Sequence, residues 1–490
     1  MERYSQILNR LVQQHQAADR PVCHVKSRDE FAELVDVGLD SQNGSSLAEI
    51  EQALSQFLAL NPDVSQLGFH KQLYSGVSMP AVLGDWVASL SNAVMHTFKV
   101  GPVANLMEME VIRQLNQLVG FDNGEGLMVS GASQANLVSM MLARHSVCPE
   151  IKAEGYAGKQ LVAYVSDQSH YSMRRAANVL GIGESNLIGV ASDAEGRMCP
   201  LALECAIENS KRQGKIPFYI GLTAGTTVLG AYDPVSACLE VAERHDVWLH
   251  IDGAWGAPIL FSDQHRHVLA GCERANSFTW DAHKLLNVPL TAGIILTRDK
   301  GLLKSATSGG GENYLFHATS DQLPELGELS LQSARRADCL KVWTAWKAAG
   351  MNGFRSKVDH LIDMRRQFVK LLKGHEAFEV IAPAEFLNVL FQYRPSCAMD
   401  EPAISDLNIR ICAYLAETGE AFIDYASFGG QTGIRMILAN QEVNQSYLDD
   451  LCRRIQEVGE MLLSEAAREK VPASLMKPEP PAGSRSLAAH

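Results

Sequence analysis

Between residues 121 and 300 short apolar runs alternate with stretches of helical spacing, and nearly every apolar run ends in a polar cluster. The runs fall at 127–129, 161–165, 217–222, 247–251, 277–280 and 292–297. Each is almost continuously apolar, as a strand must be when both faces of its sheet are covered. Strands alternating with helices imply βαβ units and a mainly parallel central sheet. The fold class expected is therefore α/β. In such a sheet ligands sit outside the carboxyl ends of the strands. The clusters found there are Gly131-Ala132-Ser133, Ser166 to His170, Thr226-Thr227, Asp252 and the stretch ending in Lys284.

The flanks read differently. Residues 1–95 form an N-terminal helical segment, with helical spacing at 47–60 before Asn61-Pro62 and again at 81–96. A large domain spans 96–352 and opens on another helical stretch at 107–119. Within it, 301–334 carries Gly, Ser and Pro and is long for a connection, which marks a mobile, functional loop. A long helix is expected over 335–349. After Gly353 the pattern becomes α+β: helix to about 373, strand 388–393, helix 404–417, strands near Ile423 and Ile434, helix 447–465. This predicts a smaller C-terminal domain over 353–470. The tail 471–490, with Pro478, Pro480 and Pro481, reads as disordered. Asp233-Pro234 fits an N-cap followed by proline at the first helical position.

Composition removes several functions. The 490 residues are 46% hydrophobic, enough for a substantial core, and net charge is 43 − 56 = −13. An acidic surface without a basic block argues against a nucleic-acid partner. The apolar runs are far shorter than the ~20 residues of a membrane span. The ten cysteines are scattered without a CxxC pair, which reads as reduced thiols in a cytoplasmic protein. The N-terminus does not read as a secretory signal. His265 and His267 lack a nearby Cys or HExxH pattern, so no metal is expected.

The strand-end residues match the needs of an aldehyde cofactor with a phosphate and a pyridine ring. Lys284 offers the amine; its alternative is an ordinary surface lysine, weakened by the apolar strand before it and by adjacent His283. Asp252 offers an anion for the ring nitrogen, against the alternative of a strand-end cap. His170 offers a flat group for stacking, although a lone histidine is more often structural. Gly131-Ala132-Ser133 opens a helix after a strand, where backbone N–H groups and the helix dipole suit phosphate. Thr226 and Thr227 offer hydroxyls.

The run Ser277-Phe278, five residues, then Lys284 resembles the lysine signature of the group II pyridoxal-phosphate amino-acid decarboxylases. The likeness extends from about Gln72 to Gly459 and is densest at 223–234, 250–256 and 281–284. It implies a type I aminotransferase-like fold and a homodimer with active sites at the interface. It implies pyridoxal 5'-phosphate on Lys284, Asp252 at the ring nitrogen and His170 stacked on the ring. Ala132 and Ser133 would face the phosphate, with Thr227 near the ring, Ala254 beneath it and His283 alongside. Tyr314 would return a proton after CO2 leaves, and Gln72 and Arg435 would lie on the substrate side. Gly253 stands where alanine is common, and Asp281-Ala282 replaces the frequent Asn-Pro, which leaves the role of Asp281 open.

The expected reaction is α-decarboxylation of an L-amino acid, with a preference for aspartate, glutamate or cysteine sulfinate because Gln72 and Arg435 can meet a distal anion. The alternatives are an aromatic or diamino acid substrate, another lyase or aldehyde synthase of the same fold, and, more remotely, a non-catalytic binding protein.

Overall fold

The strand ends are brought together by one seven-stranded sheet. Its strands are β1 (Glu125–Val129), β2 (Leu161–Ser166), β3 (Leu187–Val190), β4 (Ile216–Thr223), β5 (Trp248–Asp252), β6 (Ser277–Asp281) and β7 (Gly293–Thr297). They lie in the order β1-β7-β6-β5-β4-β2-β3. Pairing is parallel from β6 through β3, and β7 alone runs against the rest. The expected mainly parallel α/β sheet is what forms. Strands β2, β5, β6 and β7 are buried along their whole length, which explains their continuous apolar character. Because β4, β5 and β6 are neighbours, Thr223, Asp252 and Asp281 end side by side. The computed structural model describes residues 2–16, 20–39, 42–309, 316 and 325–464; the expected tail at 471–490 and Tyr314 lie outside them.

Helices Ala132–Val147, Ser172–Val179, Pro200–Arg212 and Val235–His245 follow successive strands. The N-terminal segment is helical as expected. Its helices Arg28–Leu34 and Leu47–Leu60 each start on a capping box, Ser27 with Glu30 and Ser46 with Glu49. Helix Met79–Ser91 packs against Cys339–Lys373 so closely that a Cβ on Gly84 would lie 2.7 Å from the Leu340 carbonyl oxygen. Helix Pro102–Val119 is tied to the sheet by a buried ion pair. Arg335 donates to both oxygens of Glu108 (2.9 and 3.0 Å) and to the Met128 carbonyl, while Glu108 accepts from the Met128 N–H.

Helix Cys339–Lys373 is broken at Gly350, whose φ of 60° and ψ of 179° no helix allows. Beyond it an antiparallel sheet forms from β8 (Phe378–Val380), β9 (Asn388–Tyr393), β10 (Asp424–Phe428) and β11 (Gln431–Ile437), in the order β10-β11-β9-β8. Helices Glu401–Glu417 and Gln445–Leu463 cover it.

Three local expectations are corrected. The helix expected from residue 335 starts at Cys339, because Arg335 is drawn into the ion pair with Glu108. The expected loop at 301–334 includes a short helix, Leu302–Thr307, in which Leu303 packs into the core. Asp233 does not cap the helix Val235–His245: Pro234 occupies the cap position. The buried Asp233 carboxyl instead accepts from the N–H groups of Met198 (2.6 Å) and Thr223 (2.7 Å), fastening the end of β4.

Candidate active site

The site begins at the end of β1, where the chain turns into helix Ala132–Val147. Gly131 makes that turn at φ 149°, a backbone region that side chains avoid. Gly293, starting β7, lies against it; a Cβ there would meet the Gly131 Cα at 2.4 Å. Two glycines back to back therefore bring the helix N-terminus to the sheet edge. Gln134 and Ala135 donate to the Gly131 carbonyl, and no side chain caps the helix. Ala132 and Ser133 are left lining a cavity of about 300 Å³. The other walls come from Leu73, Ser130, Gln134, His170, Thr223, Gly225, Thr227, Asp252, Ala254, Trp255, Asp281, His283 and Lys284.

Asp252 is buried at the end of β5 and held from two sides. Asn136 Nδ2 donates to Oδ2 at 2.7 Å, and the Ala254 N–H donates to Oδ1 at 3.1 Å. Asn136 is itself fully buried, and its Nδ2 also reaches Ser172 Oγ at 3.0 Å. Its Oδ1 accepts from Thr279 Oγ1 and faces His250 Nε2, both at 3.1 Å. The donors and acceptors then have one consistent assignment. His250 Nε2–H donates to Asn136, so His250 Nδ1 accepts from Ser277 Oγ (2.8 Å), whose oxygen in turn accepts from Trp248 Nε1 (2.9 Å). Burial lowers the His250 pKa to about 4, which keeps that neutral tautomer in place.

Lys284 follows β6, with Nζ 3.5 Å from Asp281 Oδ2. His283 Nε2 lies 3.6 Å from the same oxygen, and His283 Nδ1 accepts from the Ala292 N–H. Burial lowers the His283 pKa to about 4, with the Lys284 charge adding to the effect. Burial raises the Asp281 carboxyl to about 7, against the lowering by Lys284 and with the raising by Asp252. His170 Nδ1 accepts from the Ser172 N–H at 3.2 Å. Burial lowers its pKa, opposed by Asp252 and helped by Lys284.

The structure thus gathers Lys284, Asp252, His170, Ala132, Ser133, Thr227, Ala254 and His283 around one cavity. Thr226 turns away, its Oγ1 accepting from the Ala231 N–H. Gln72 is exposed and does not line the cavity, whereas its neighbour Leu73 does. Arg435 stands behind the wall, donating to the carbonyls of Thr227 (3.2 Å) and Lys71 (2.5 Å). Asn388 of β9 also reaches the Thr227 carbonyl at 2.9 Å and accepts from Trp255 Nε1 at 2.7 Å.

Asn136 and Asn388 were not anticipated from sequence. Asn136 lies three and four residues from Ser139 and Ala132 on a helix face otherwise packed into the sheet, and a polar residue on that stripe is the signal that marks it. The donor set fits a phosphorylated pyridine aldehyde: an amine, a carboxylate with both oxygens fixed, and an uncapped helix end with its dipole toward the cavity.

The family described as "Pyridoxal-dependent decarboxylase conserved domain" matches residues 35–394. The chain is 34% identical over 457 residues to cysteine sulfinic acid decarboxylase of Mus musculus, covering 91% of this chain and 92% of that protein. The crystal structure of mouse CSAD aligns with a TM-score of 0.87 at 32% identity, over 93% of this chain and 97% of that one. Oryza sativa TDC with PLP and tryptamine aligns at the same TM-score of 0.87 over 94% of this chain and 97% of that one, but at 24% identity, a likeness of fold alone. With a match over most of its length, this chain belongs to the pyridoxal-dependent decarboxylase family.

Proposed function

We propose that this protein removes the α-carboxylate of a small acidic L-amino acid, with cysteine sulfinate, aspartate and glutamate as the candidates. The observation that carries the chemistry is one cavity holding Lys284, Asp252 and the uncapped end of helix Ala132–Val147. The similarity to the mouse cysteine sulfinic acid decarboxylase supports the substrate class.

Bound pyridoxal 5'-phosphate supplies an electron sink for the pair released as CO2 leaves. The residues of this chain provide everything else. Lys284 would hold the cofactor and release it to the incoming substrate amine. Ala132 and Ser133 present backbone N–H groups to the phosphate, and Thr227, Ala254 and His283 close the walls. Asp252, oriented by Asn136 and the Ala254 amide, partners the ring nitrogen. His170, on the cavity wall, would stack on the ring and help orient the substrate α-carboxylate. Tyr314, assigned on the sequence pattern, delivers the proton to Cα. Arg435 would support an acidic substrate only through the wall at Thr227, where its buried Nε makes no hydrogen bond among the described residues, and Gln72 is assigned to the substrate on the sequence resemblance.

The same reading includes a homodimer with its active sites at the interface. Met79, Leu83, Val87 and Leu90 are 51%, 56%, 45% and 72% exposed along one face of their helix, an apolar stripe of the kind that partners cover. Ten free cysteines support a cytoplasmic setting, and no helix among the described residues is long and apolar enough to cross a membrane. The test is product analysis with purified protein: CO2 and amine should form from cysteine sulfinate, aspartate or glutamate, and not from tryptophan, tyrosine or 2,4-diaminobutyrate. Release from the aromatic or diamino acids alone would overturn the substrate class.

A further inference from the structure

Asp281 ends β6 inside the cavity, 3% exposed, where a neutral side chain would be the simpler choice. Its Oδ2 faces Lys284 and His283. Its Oδ1 makes no hydrogen bond among the described residues. The Ala132 backbone N–H still favours the ionised form, and Asp252, from neighbouring β5, opposes it. Asp281 thus competes for the amine and the amide on which the cofactor depends.

Resting on the cofactor site described above, we propose that Asp281 pairs with Lys284 before the cofactor binds and takes up one proton from solvent when pyridoxal 5'-phosphate is bound. The physical reason is a change of surroundings. Loading places a phosphate carrying about −1.5 to −2 charges at the helix end beside Asp281. A buried carboxylate between that phosphate and Asp252 then faces two anions, against Lys284 and a His283 that burial keeps neutral. Protonation removes the repulsion and gives Asp281 a hydroxyl that could donate to the phosphate. In the empty site the carboxyl already lies at about 7, so this proton is taken up at and above neutral pH.

The sign follows from linkage. Above neutral pH the empty site is ionised and binding must bring in a proton, so cofactor affinity falls as pH rises, approaching tenfold per pH unit. The experiment compares the full-length protein with Asp281→Asn, titrated with pyridoxal 5'-phosphate by intrinsic fluorescence between pH 6.5 and 8.5. The ratio of Kd in wild type to Kd in the variant should lie near one at the acid end and rise roughly 25-fold by pH 8.5. A ratio that does not change with pH overturns the proposal. A second measurement needs no variant: calorimetry at pH 8 in two buffers of different protonation enthalpy, with pyridoxine 5'-phosphate, which lacks the aldehyde and so leaves Lys284 unreacted. Uptake of close to one proton per site supports the role, and no uptake overturns it. The cofactor-site reading is checked separately by the absorbance of bound pyridoxal 5'-phosphate, which Lys284→Ala must abolish; without that band both readings fall.

Discussion

Asn136 shows how much of this site depends on residues that touch no reactant. Its amide orientation is fixed by two donors on one side and a carboxylate on the other, so it cannot flip without losing every contact. Replacing it with alanine frees one oxygen of a buried carboxylate and leaves His250 Nε2–H without its acceptor at 3.1 Å. Such losses cost about 1–3 kcal/mol. The expected outcome for Asn136→Ala is a kcat/KM lowered roughly tenfold or more, measured by steady-state kinetics alongside cofactor affinity. Asp252 and Lys284 were legible in sequence because each ends an apolar run with a charge. Asn136 was not, because an asparagine within a helix reads as a neutral surface residue until the sheet beneath it is known. Thr226 and Thr227 stand adjacent in sequence, yet only the geometry of the turn shows which one faces the cavity.

Among the elements, the contact of β7 with the Gly131 turn is the tightest. Gly293→Ala places a methyl 2.4 Å from main chain that has nowhere to move. The expected result is a loss of about 1–3 kcal/mol of stability together with weakened cofactor binding, read from urea midpoints and a fluorescence titration. A second element-scale prediction concerns His70, which joins the N-terminal segment to β11. Its Nδ1–H donates to the Ile437 carbonyl at 3.0 Å, and its Nε2 accepts from the Tyr447 hydroxyl at 2.7 Å. Burial lowers its pKa from 6.5 to about 4. Between those values the folded chain holds fewer protons than the unfolded one, so this residue costs stability as pH falls through that window. His70→Gln cannot titrate. The stability advantage of wild type over the variant should therefore shrink by at most about 2 kcal/mol between pH 7.5 and pH 5, as measured by urea denaturation at the two pH values. The long strands were readable because burial on both faces makes them continuously apolar. Strands β3 and β8 were not: each is only three or four residues long and partly exposed at the edge of its sheet, so neither period nor hydrophobicity sets them apart. The break at Gly350 falls where the sequence pattern ends one helix at 349 and resumes another after Gly353.

At the scale of the whole molecule, the strand-end rule carried most of the functional information. Parallel strands put residues 132, 170, 227, 252 and 284 around one cavity although they are spread over 150 positions of the chain. Position on the seven-stranded sheet says little about the substrate, because the proposed substrate-side residues come from elsewhere, Arg435 from β11 of the smaller sheet and Gln72 from the N-terminal segment. The exposed face of helix Met79–Ser91 belongs to this scale too. On the proposed homodimer, Leu83→Glu combined with Val87→Glu should leave the fold intact and yield a monomer in sedimentation velocity where wild type is a dimer, with activity falling in parallel. The central claim, a lysine-held cofactor driving decarboxylation of an acidic amino acid, is tested most directly by CO2 release from cysteine sulfinate, aspartate and glutamate in wild type and Lys284→Ala. The account predicts CO2 in step with the amine from at least one of the three, and none from the variant. No CO2 from any of them with the cofactor bound, or release unaffected by the loss of Lys284, would contradict it.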